Sequence, residues 1–104
     1  MKIYNKLVRD NIPRIIKESG KKAVCSRLDD NEYLEALNSK LQEECLEYRK
    51  DKDIEELADI LEVIYAIAQA KGISVSELEK IRIEKAQKNG AFTQKILLES
   101  VEDQ

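Results

Sequence analysis

Apolar and polar positions follow one another along this chain with the period of helices rather than strands. Leu34, Leu37, Leu41, Glu44 and Tyr48 are spaced three, four, three and four apart. That spacing is the seam of a packed helix, with one carboxylate standing where an apolar side chain is expected. Asp29 or Asp30 can cap this helix, which is expected to run to about Tyr48 or Arg49, where the charged turn Lys50-Asp51-Lys52-Asp53 ends it. Asp53 can cap the next helix, which begins at Ile54, ends near Lys71 and is closed by Gly72. Ser74-Val75-Ser76-Glu77 has the capping-box pattern and opens a fourth helix that stops at Asn89-Gly90.

Ahead of these, Asp10-Asn11-Ile12-Pro13 opens a first helix, with Asp10 or Asn11 as cap and Pro13 tolerated in the first turn; it stops near Ser19-Gly20. Residues 21–28 are irregular or briefly extended. Residues 91–101 carry Phe92, Ile96, Leu97 and Leu98 and are expected to pack back on the helices, while residues 99–104 fray. The pattern predicts an all-α fold, a bundle of about four helices forming a single domain over residues 1–104.

The third helix is apolar nearly all round: Ile54, Leu57, Ala58, Ile60, Leu61, Val63, Ile64, Tyr65, Ile67 and Ala68 leave little polar surface. Such a helix is surrounded by protein, which in 104 residues calls for a second subunit, so a homo-oligomer (dimer or tetramer) is expected. Through it runs an acidic stripe, Glu56, Asp59 and Glu62, at intervals of three. On the second helix Glu47 lies three residues after the seam carboxylate Glu44 and shares its face. Carboxylates crowded between helices lose hydration and repel one another, so they take up protons, pair with Lys or Arg, or bind a hard cation. The alternative is a set of solvated surface charges, the better reading for any one Glu taken alone.

Composition narrows the chemistry. The chain has three Gly, one Pro, one Phe and no Trp, too few turn-formers and aromatics for a sandwich or barrel. With no His, Ser-His and Cys-His triads and His-bearing metal sites are excluded. Oxygen-only ligands suit Mg²⁺, with Mn²⁺ as a substitute. A formal charge of −3 gives no global attraction to nucleic acid or anionic lipid, so neither is expected as a partner. The opening residues lack the apolar core of a signal peptide and no run is long enough to span a bilayer. Two cysteines, Cys25 and Cys45, are too few for a disulfide framework, so the expected compartment is the cytoplasm.

The carboxylates stand in Glu43-Glu44-Cys45-Leu46-Glu47 and Glu55-Glu56-Leu57-Ala58-Asp59. This resembles the EExxE … ExxD signature of the MazG-like all-α nucleoside triphosphate pyrophosphohydrolases. Tyr4-Asn5-Lys6-Leu7-Val8-Arg9-Asp10-Asn11-Ile12-Pro13 resembles the YxKLVRDxIP opening of a small, phosphoribosyl-ATP pyrophosphohydrolase-like branch of that superfamily. The stretches EELADILEVI (residues 55–64) and KAQKNGAF (residues 85–92) are similar to that branch's later motifs, so the likeness covers nearly the whole chain. Two features depart from it: only eight residues separate Glu47 from Glu56, and Asn89 stands where an Arg is expected.

The resemblance implies a Mg²⁺ site from Glu44, Glu47, Glu56 and Asp59. It also implies cleavage of a nucleoside triphosphate, non-standard ones included, to the monophosphate and pyrophosphate in a nucleotide-pool housecleaning role. Glu43 or Glu62 would orient or deprotonate the attacking water, and Lys6, Arg9, Lys85 and Lys88 would meet the phosphates. Two other classes fit parts of the sequence. The segment from Ala68 to Ile81 has the spacing of a helix-turn-helix, with Lys80, Arg82, Lys85 and Lys88 on its second helix, but Glu77, Glu79 and Glu84 share that helix. A non-catalytic helical dimerisation or regulatory module is the other.

Overall fold

The computed structural model describes residues 1–103, and among them the regular structure is four α-helices and no strand. These are α1 (Ile12–Glu18), α2 (Asp30–Asp51), α3 (Ile54–Ala70) and α4 (Val75–Asn89). The expected fraying of residues 99–104 extends to Gln104, which lies outside the described residues.

Local chemistry sets the boundaries. Asp29 caps α2 through a full capping box: its side chain accepts from the Glu32 amide, and the Glu32 carboxylate accepts from the Asp29 amide. Ser74 and Glu77 do the same for α4. Asn11 and Asp53 occupy N-cap positions without a side-chain cap bond, so Pro13 and the acidic first turn Glu55-Glu56 are what favour those starts. α3 ends in a Schellman turn, in which Ile73 donates to the Ala68 carbonyl at 2.8 Å and Gly72 to that of Gln69 at 3.0 Å. Gly72 sits at φ +82°, the left-handed region that glycine enters without penalty.

The tightest connection is the two-residue turn Lys52-Asp53 between α2 and α3. Lys52 takes the left-handed conformation itself, at φ 58°, and its amide donates to the Tyr48 carbonyl at 2.7 Å. This turn sets α2 and α3 side by side as a helical hairpin, and α4 then packs on the far end of α3. Along the hairpin Leu37 and Val63 are buried, and Ala68 is buried toward the α3–α4 end. Nearer the turn the seam positions of α2 pass to Glu44 and Tyr48, so the hairpin changes from apolar to acidic along its length.

A single copy leaves much of its apolar surface uncovered. Its accessible surface is 9978 Å², whereas a folded monomer of this mass exposes about 6,000 Å². The radius of gyration is 18.5 Å, against about 13 Å for a globular domain of this length. The α3 face bearing Ile54, Leu57 and Leu61 is exposed in the single chain, because α2 covers only the opposite face, so one copy does not by itself supply the enclosure expected of this helix. One expectation is corrected here. Residues 91–101 do not pack back: Phe92, Ile96, Leu97, Leu98 and Val101 are each at least 75% exposed. Among the described residues, no helix is long and apolar enough to cross a membrane.

Candidate functional site

The acidic end of the hairpin is where the chemistry collects. Glu44 points from α2 into the seam, with only 14% of its side chain exposed. Opposite it, Glu56 and Asp59 lie three residues apart on α3, close to one face, since each step of three turns the helix by about 300°. Carboxylate oxygens of Glu44, Glu56 and Asp59 come within 4.8 Å of one another. Glu47, Asp51 and Glu56 form a second group of the same compactness. The four carboxylates expected at a metal site are thus joined as two overlapping groups that share Glu56, with Asp51 added.

Asp51 was not expected in this role, because a charged turn is the usual way to end a helix. The short turn places it: as the last residue of α2 it faces the first turn of α3. Glu56 carries the electrostatic consequence. Loss of hydration, then repulsion from Asp51 and Asp59, a side-chain hydrogen bond to Asp51 and the nearby Glu44 together raise its pKa above the ordinary carboxylate value. Glu62, one step further along the stripe, is exposed and belongs to neither group.

Cations border the cluster on two sides. Lys40, one turn before Glu44 on α2, places its ammonium 3.3 Å from Glu44 and 3.6 Å from Glu43. It is mostly buried, at 17% exposure, and its spacing of three and four residues from two glutamates was the available signal. The second source is the irregular N-terminal segment. Arg9 donates to Asp59 on α3 at 2.6 Å, and Lys6 donates to Glu43 on α2 at 3.3 Å. One short segment is therefore pinned to both helices of the hairpin beside the carboxylates. Glu43 lies between two ammonium groups, those of Lys6 and Lys40.

Lys85 and Lys88 are exposed on α4, which packs on α3 and not on α2; among the described residues neither forms an ion pair. On the same helix Arg82 is engaged by Glu79, its Nε 2.9 Å from a carboxylate oxygen, so one cation of the helix-turn-helix reading is already taken. Cys25 and Cys45 are free and exposed.

The donor set is oxygen-only and comes from two rigid helices, which fits Mg²⁺ or Mn²⁺ and not a soft metal. Ion-pairing with Lys40 and Arg9 accounts for part of the negative charge and leaves several carboxylates, Glu56 above all, in excess of their counter-ions.

No family model matches this chain, and no solved structure matches it. Among curated proteins it is similar to one of Mycolicibacterium smegmatis (strain ATCC 700084 / mc(2)155) described as an uncharacterized protein, at 51% identity over 43 residues. The aligned stretch is 41% of this chain and 44% of that relative, whose description states no activity.

Proposed function

We propose that this protein is a Mg²⁺-dependent nucleoside triphosphate pyrophosphohydrolase that works as a homo-oligomer. The observation that carries the reading is the meeting of Glu44, Glu56 and Asp59 across a helix hairpin, with Lys6 and Arg9 held against the same cluster from the N-terminal segment. The motif resemblance to the MazG-like enzymes selected these residues from sequence, and they meet although up to 50 residues separate them along the chain.

Glu44, Glu56 and Asp59, with Glu47 and Asp51 beside them, would hold the cation. When bound, it supplies charge neutralisation at the phosphate oxygens and Lewis acidity. A triphosphate carries about four negative charges and is repelled by a bare acidic groove, so the chain's own cations must turn toward it. Arg9 and Lys6 exchange carboxylate partners for phosphate oxygens, a change that half-exposed side chains on an irregular segment make at low cost. Glu43, released by Lys6, is the better placed of the two candidate bases to accept the proton of the attacking water. Glu62 lies exposed outside both carboxylate groups and takes no part in this reading. The water oxygen joins one side of a phosphoanhydride and the other side leaves, giving monophosphate and pyrophosphate. Lys85 and Lys88 touch none of this in a single chain, so the reading rests on Lys6 and Arg9.

The surface left bare exceeds that of a folded monomer by roughly 4,000 Å², enough for the extensive apolar interfaces of obligate oligomers. It favours oligomerisation under this reading and equally under that of a non-catalytic helical module. Release of pyrophosphate from a panel of standard and modified NTPs and dNTPs, with Mg²⁺, Mn²⁺ or EDTA, separates the two. The enzyme gives metal-dependent pyrophosphate and monophosphate, and Glu44→Gln abolishes both while leaving helicity and oligomeric state intact. Silence across the panel from a folded oligomer, or full activity in Glu44→Gln, overturns the assignment.

A further inference from the structure

Among the uncovered apolar features outside the acidic cluster, two complement each other. One is a groove of about 310 Å³ at the α3–α4 junction, lined by Ile64, Ile67, Leu78 and Ile81, with Leu41 of α2 on its far side and Lys71 among its lining residues. The other is the C-terminal arm, residues 91–101, whose Phe92, Ile96, Leu97, Leu98 and Val101 touch little of the chain that carries them. We propose that the arm of one copy lies in the α3–α4 groove of a second copy, reciprocally, so that the two chains exchange arms.

Charge order fixes the direction. On α4, Lys85 and Lys88 follow Leu78 and Ile81 by seven residues each, and so lie on the same helix face. In the arm, Glu99, Glu102 and Asp103 follow Ile96, Leu97 and Leu98. An arm laid along α4 in the same direction sets apolar against apolar and acid against base. A chain's own arm leaves α4 at its C-terminal end and can return to the groove only by running the opposite way. That carries the acidic residues away from Lys85 and Lys88, so the groove is matched to an arm from another copy.

The area is of the right order. Five such side chains bury roughly 60–120 Å² of apolar surface each. Two exchanged arms then remove roughly 600–1,200 Å² of their own surface, and the helix surface they cover adds to it, toward the range of a specific interface. The inference uses only the second copy and not the nucleotide chemistry, so it stands or falls apart from the hydrolase reading.

The test is disulfide trapping in a Cys25→Ser/Cys45→Ser background. One tagged chain carries Thr93→Cys in the arm, and a differently tagged chain carries Lys71→Cys in the groove lining. α4 is about 22 Å long, and the three residues past Gly90 span about 11 Å, so this pair cannot close within one chain. Mild oxidation of the mixture is expected to give a covalent heterodimer. A single chain carrying Leu98→Cys and Lys71→Cys reports the fold-back: an intrachain disulfide there, with no heterodimer from the mixture, overturns the proposal. Absence of both products overturns it as well. Truncation after Gly90 is expected to raise the dimer dissociation constant on the order of 100-fold or more, given the area lost; unchanged association of the folded truncated chain overturns the exchange.

Discussion

Replacing Arg9 by Gln distinguishes a phosphate-binding side chain from a merely structural one, because the two roles predict effects of different size. In the free chain Arg9 meets Asp59 at 2.6 Å, yet the side chains are 57% and 39% exposed. Solvent and salt screen a pair this open, so its loss costs at most about 1 kcal/mol, a fall in Tm of up to roughly 4–8 °C for a domain of this size. A charge-assisted hydrogen bond to a phosphate in a nucleotide complex contributes about 1.5–3 kcal/mol. That converts to a roughly 10- to 150-fold fall in kcat/KM. Binding of Mg²⁺ alone should move the other way: Asp59 no longer has to release a guanidinium, so affinity rises by up to about fivefold. Thermal melting, Michaelis kinetics on the preferred nucleotide and calorimetric Mg²⁺ titration measure the three quantities on one preparation. A kcat/KM within twofold of the parent refutes the phosphate role. So does a collapse of Tm by well over 10 °C, which would make Arg9 a structural clamp.

Other consequences can be checked alongside. Because the Glu56 pKa is raised, its neutral form is favoured in the folded chain. Without metal, its contribution to stability is fully present below the unfolded carboxylate pKa and is lost as pH rises through the higher folded one. Metal binding needs the ionised form, so Mg²⁺ affinity should begin to fall at a higher pH on acidification than an ordinary carboxylate dictates, and Glu56→Gln should remove that early phase. Lys52 holds a left-handed backbone that costs a non-glycine residue about 1 kcal/mol. Lys52→Gly should therefore match or slightly exceed the parent in denaturant melts, and Lys52→Val should unfold earlier. Ser74→Ala removes the hydroxyl that accepts from the Glu77 amide, and should cost about 1 kcal/mol by the same assay. Lys40→Met takes away the half-buried counter-ion of Glu43 and Glu44, so Mg²⁺ should bind more tightly while the metal-free protein melts lower.

The helices were legible because what starts and stops them is local. Capping at Asp29 and Ser74, the glycines after α1, α3 and α4, and the heptad seam of α2 depend on contacts within a turn or so of the chain. The seam break at Glu44 and the stripe on α3 likewise identified, from spacing and resemblance, the carboxylates that meet. Other features were not written locally. Asp51 joins the cluster only because Lys52 bends the chain back within two residues, and Glu62 drops out because the line of the stripe turns away from α2. Lys40 and Arg9 are common cations until the register of two helices and the path of the opening segment bring each against a particular carboxylate. The exposed arm was the plainest departure: its composition says that Phe92, Ile96, Leu97 and Leu98 seek a partner, but composition carries no direction. The sequence by itself determined the elements and the kinds of side chain each presents, since backbone sterics, caps and periodicity act over a few residues. The tertiary structure decided which charges meet and which apolar faces stay bare, because those depend on distances between segments far apart along the chain.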